Sequence, residues 1–65
     1  MNPEARVAYI HSQTICAMAE IEGMKADNLQ KQIRGEYPIY GKEDFENVPA
    51  RFGVHHNQVI EYLRG

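Results

Sequence analysis

PEARVAYIHSQTICAMAEIEGMKADNLQKQIR, residues 3–34, decides the fold, because helix-start and helix-stop signals bracket it and no proline follows Pro3 until Pro38. Asn2 is a good N-cap, Pro3 suits the first helical position, and Glu4 sets a negative charge against the positive end of the helix dipole. Gly35 stands where a helix stops. The spacing predicts one long amphipathic helix over 3–34.

At about 100° per residue, Ser12, Gln13, Glu20, Asp27, Gln30, Lys31 and Arg34 gather on one narrow polar sector. Most of the remaining circumference is apolar. Val7, Ile10, Ala17, Ile21 and Met24 form one stripe, whose spacing Thr14 and Asn28 continue. Ala8, Ile15, Ala19, Ala26, Leu29 and Ile33 form a second stripe beside it. An ordinary surface helix buries a single face about 100° wide. Either the rest of the chain wraps both stripes, or the second meets another molecule. A chain of 65 residues buries only about 60% of its unfolded surface, which favours self-association. The expected form is a homodimer of paired first helices, with small Ala17 and Ala19 allowing close approach.

Gly23, which costs about 1 kcal/mol relative to alanine inside a helix, marks either a close crossing or a kink. His11, Glu22 and Lys25 lie within or beside the apolar arc, as snorkelling side chains or as inter-subunit polar contacts.

Composition bounds the rest. With 43% hydrophobic and 25% charged residues, the usage is that of one small globular domain over 1–65. The net charge of −2 is spread evenly: residues 1–41 carry four basic and five acidic groups, and 42–65 carry three and four. Nonspecific nucleic-acid binding needs clustered lysine and arginine, and no such half exists. Apolar runs are short, so neither a signal peptide nor a membrane span is expected, and the chain reads as cytoplasmic. Cys16, without a second cysteine for a disulfide or a zinc site, is expected to pack as a small hydrophobe.

Residues 35–42, GEYPIYGK, form the connector, and Tyr37, Ile39 and Tyr40 are too apolar to stay fully solvated. The tail 43–65 reads as two short helices, Glu43 to Phe52 and His55 or Asn57 to Arg64, folded back over part of the first. The whole predicts an all-α fold: long helix 3–34, connector 35–42, two-helix tail 43–65.

Within that tail, Phe52, Gly53, Val54 and Val59, with Val48 before them and Tyr62 or Leu63 after, lie at the spacing of a glycine turn between two packed helices. The stretch from Phe45 to Leu63 resembles the helix-turn-helix family. That resemblance implies a second helix entering a major groove. His55, His56, Asn57, Gln58 and Glu61 would then face bases, while Arg51 and Arg64 meet phosphates. Two features depart from the pattern. Pro49, at a cost of roughly 3 kcal/mol inside a helix, predicts that the first of the two helices is broken or begins late. Glu43, Asp44, Glu46 and Glu61 oppose phosphate binding.

An enzyme is not expected. His55 and His56 point about 100° apart on a helix, with no partner four residues away to complete a metal pair. No nucleophile context or phosphate loop occurs, so no catalytic residue, metal, cofactor or small-molecule substrate is assigned. The favoured function is a small oligomeric protein-interaction module acting on a larger macromolecular partner, in the manner of compact bacterial or phage chains. Tyr9, Ile15, Met18, Glu22, Tyr37 and Tyr40 are its interface candidates, and DNA binding through 55–61 is the alternative.

Overall fold

A computed structural model describes residues 2–64, in which three helices follow one another: α1 (Pro3–Ile33), α2 (Lys42–Arg51) and α3 (His56–Arg64). No strand occurs among the described residues, so the fold is all-α. Asn2 caps α1 as expected, its Oδ1 accepting the Ala5 amide at 2.7 Å. Both α1 and α2 end on the same left-handed glycine stop.

At the first stop Gly35, at φ +75°, donates to Gln32 and Glu36 donates to Lys31; at the second Gly53, at φ +72°, donates to Ala50 and Val54 donates to Pro49. This paired closure satisfies carbonyls that a helix end otherwise leaves open. Gly23 has neither task. Helix α1 continues through it without interruption, and apart from the local helix backbone no described atom lies within 4 Å of an added Cβ there. Gly23→Ala is therefore expected to stabilise the chain by about 1 kcal/mol, whereas Gly53→Ala, forced into left-handed backbone, should cost about 1–2 kcal/mol. Thermal melts should move in opposite directions by ~4–8 °C per kcal/mol. A loss of stability in Gly23→Ala would contradict the open surroundings of that glycine.

Pro49 does not break α2, contrary to the expectation from sequence. It lies in the last turn, where its missing N–H removes only one intrahelical bond. The carbonyls beyond it are held from outside: Ala50 O accepts from Gly53 N and from Gln58 Nε2, and Phe52 O accepts Gln13 Nε2 at 3.2 Å. Each short helix also has a backward cap. Asp44 accepts the Gly41 amide at 2.9 Å to start α2, and Gln58 accepts the His55 amide at 3.0 Å to start α3.

The core is small. Ala17 and Met24 of α1 and Val48 of α2 are buried, with Ile21, Tyr40, Phe45, Phe52 and Val54 packed around them. One stripe of α1 is thus covered by the tail, but it is turned relative to the expected one. Val7 and Thr14 are exposed, the Thr14 hydroxyl donating back to Ile10 O at 2.8 Å. Arg6 and Gln13 are half-buried in their stead. The turn has a cause in hydrogen bonding: Arg6 and Gln13 each hold a backbone group of a later segment, as does Asn28, which the expected stripe already contains. Arg6 Nη1 donates to Tyr62 O at 2.6 Å, Gln13 Nε2 donates to Phe52 O, and Asn28 takes Tyr40 at both its C=O and N–H, at 2.8 and 2.9 Å.

The molecule is a rod of 50 × 17 × 10 Å, with a radius of gyration of 15.0 Å. A globular chain of this length would have about 11 Å. No helix among the described residues is long and apolar enough to cross a membrane.

Candidate functional site

The second stripe of α1 lies open. Ile15, Leu29 and Ile33 are exposed, Met18 retains 62% of its surface, and Ala8, Ala19 and Ala26 are also in contact with solvent. Helical spacing lines up Ala8, His11, Ile15, Met18, Glu22, Lys25, Leu29 and Gln32 at alternating steps of three and four, the spacing of a seam between paired helices. Midway along it Lys25 Nζ donates to Glu22 Oε1 at 3.1 Å, the pair standing well out in water. In the connector Tyr37, 94% exposed, and Ile39 stay in solvent, contrary to the expectation that they pack down, and of the three apolar side chains there only Tyr40 is half-buried.

Of the interface candidates, Ile15, Met18 and Glu22 therefore share one surface, and Tyr37 lies beyond its end. Tyr9 and Tyr40 lie elsewhere. Tyr40 is half-buried on the core, held by Asn28 and set edge-on to Phe45 at 6.5 Å. Tyr9 projects from another flank of α1 and stacks on Tyr62 at 5.4 Å, while the Arg6 guanidinium sits 5.4 Å over the same Tyr62 ring. Together Tyr9, Tyr62, Phe52 and Asn57 border an open trough of about 610 Å³ between the start of α1 and the α2–α3 turn. Ala17 is buried in the chain's own core, so of the two alanines expected in a dimer seam only Ala19 is accessible. Cys16 is exposed rather than packed: helical angle sets it with Glu20 and Asp27 in the polar sector, away from both the covered face and the open strip.

The residues of the helix-turn-helix comparison are exposed at the far side of the tail, but several are already engaged. Gln58 spends both ends of its amide on the α2–α3 turn. Arg51 pairs with Glu20 of α1 at 3.9 Å, and Glu61 pairs with Arg64 at 3.5 Å. His55, His56 and Asn57 are exposed. Among the described residues no group of three or more His, Cys, Asp or Glu side chains is arranged to hold a metal ion.

Sequence reading missed Arg6 altogether and left Gln13 in the polar sector. Both are residues whose polarity serves the fold. Scans against protein-family models, curated proteins and solved structures give no match to this chain.

Proposed function

We propose that this chain is a small non-enzymatic interaction module, which self-associates through the open strip of α1 and binds or modulates a larger macromolecular partner. The observation that carries this reading is an excess of surface. The chain exposes 5080 Å², against about 4,250 Å² for a compact monomer of its 7.5 kDa mass. The difference, about 800 Å², equals what one partner contributes to a standard interface. Ile15, Met18 and Leu29 are exposed along the strip, and a contiguous exposed apolar patch is a mark of an interaction surface.

Solution mass tests the reading. At tens of micromolar the wild-type chain should sediment at twice its 7.5 kDa mass. Ile15→Glu combined with Met18→Glu should return it to a single chain by weakening association at least about 100-fold, since charge is being forced into an apolar seam. Both positions are exposed, so the helical circular dichroism of the variant should match wild type. A wild-type monomer at that concentration rejects the reading.

DNA binding is the second reading, favoured by two helices joined through the tight turn 52–55. Retardation of duplex DNA by the wild-type chain at low salt is the result that would promote it. Because Gln58 holds the turn, its replacement would confuse folding with recognition; His56→Ala with Asn57→Ala is the pair to use.

A further inference from the structure

We infer that the occupant of the open strip is a second copy of this chain running antiparallel, with the two-fold axis crossing α1 level with Gly23 and Met24. This rests on the self-association proposed above and adds its orientation and register. The strip contains one acid and one base at its middle, Glu22 and Lys25, three residues apart. In a parallel pair each layer of the seam faces its own copy, so Glu22 would meet Glu22 and Lys25 would meet Lys25. Like charges facing across a seam cost stability and select against that arrangement.

An antiparallel pair reverses the order. Taking the axis midway between residues 23 and 24, Glu22 of each copy faces Lys25 of the other, twice by symmetry. The same operation sets Met18 against Leu29, again twice, and Ile15 against Gln32 with Ile33 beside it. Met18 and Leu29 then face each other, Ile15 has Ile33 beside its polar opposite, and both charges have an opposite one. No other antiparallel register does this: sliding by one layer toward the N-terminus sets Glu22 against Met18 and Lys25 against Ile15. Ala19 and Ala26 flank the seam with short side chains that let the helices approach. The Glu22–Lys25 contact within each chain is compatible with the new one, because both side chains are exposed and long.

Charge reversal reads the register directly. Glu22→Lys alone and Lys25→Glu alone should each weaken dimerisation at least about tenfold in sedimentation equilibrium, while the double reversal should recover to within about threefold of wild type. In a parallel dimer none of the three would differ greatly from wild type. Orientation has an independent readout in a Cys16→Ala background: Met18→Cys chains mixed with Leu29→Cys chains should oxidise to the mixed disulfide and give little of either symmetric one. A dimer that fails to recover in the double reversal, or that cross-links Met18→Cys chains to each other, overturns the register while leaving self-association standing. A wild-type monomer overturns both, as does a strip that binds only a different protein.

Discussion

Met24→Ala should lower stability by about 2–4 kcal/mol, the cost of removing a buried methionine side chain and leaving part of its volume empty. Met24 is 2% exposed and, with Ala17 and Val48, makes the centre of a core with only these three buried residues among those described. A chain of this size has only about 3–10 kcal/mol in total. The urea midpoint should therefore fall sharply, with little change in slope, and on heating the loss corresponds to ~4–8 °C per kcal/mol. Met18 lies on the same helix and exposes 62% of its surface, so Met18→Ala is the internal comparison. Measured at a concentration low enough that the chain is single, its folding cost should stay within about 0.5 kcal/mol. If Met24→Ala lost less than about 1 kcal/mol, the assignment of the core to this face of α1 would be wrong.

Asn28→Ala is expected to cost about 2 kcal/mol. Its side chain meets the Tyr40 backbone as a neighbouring strand would, donating to the carbonyl and accepting from the amide. Each such bond contributes about 1 kcal/mol net, and a desolvated group left unpaired loses more. Half-burial of Tyr40 moderates that penalty, since water reaches part of the site. The consequence is local as well as global: with the clamp gone, the Tyr40 ring loses its placement against Phe45. Amide exchange at Tyr40 should accelerate beyond what the fall in global stability explains, and the Phe45 ring resonances should shift. Asn28→Asp, which keeps the acceptor and turns the donor into a repelling oxygen, should be no better than the alanine variant. Unchanged exchange at Tyr40 would show that the connector is held by its rings alone.

Much of this architecture is legible in the sequence because its signals are local. Asn2, Pro3 and Gly35 mark α1 to within a residue of its observed ends, and Gly53 marks the turn of the tail. The division of α1 into a covered and an uncovered stripe follows from apolar spacing alone. What spacing does not reveal is where a polar side chain reaches. Arg6 and Gln13 lie on the covered face because each finds a backbone partner 39 or 56 residues away, a fact no window of neighbouring residues contains; Asn28 falls on the expected stripe, but its grip on Tyr40 is equally hidden from spacing. Pro49 is a similar case: its cost depends on its distance from the helix end and on Gln13 and Gln58 reaching in from elsewhere. The interface candidates divide on the same ground. Ile15, Met18 and Glu22 were readable as one surface from helical angle, but Tyr9 and Tyr40 are taken up by partners that only the fold supplies.

The bond from Arg6 to the Tyr62 carbonyl, with Tyr9 stacked on the same residue, has a topological consequence. It brings the first and last turns of the described chain to one end of a 50 Å rod, and the connector lies toward the other end. The backbone is thus nearly a closed circuit, with its seam at residues 6 and 62 and its far bend at residues 34–41. A short linker across the seam, with new ends opened at the exposed Tyr37, would yield a circular permutant that retains the three helices and the Asn28 clamp. A label or domain attached beside the seam at residues 6 and 62 projects from one end of its own rod, so in the antiparallel pair the two labels stand at opposite ends of the dimer.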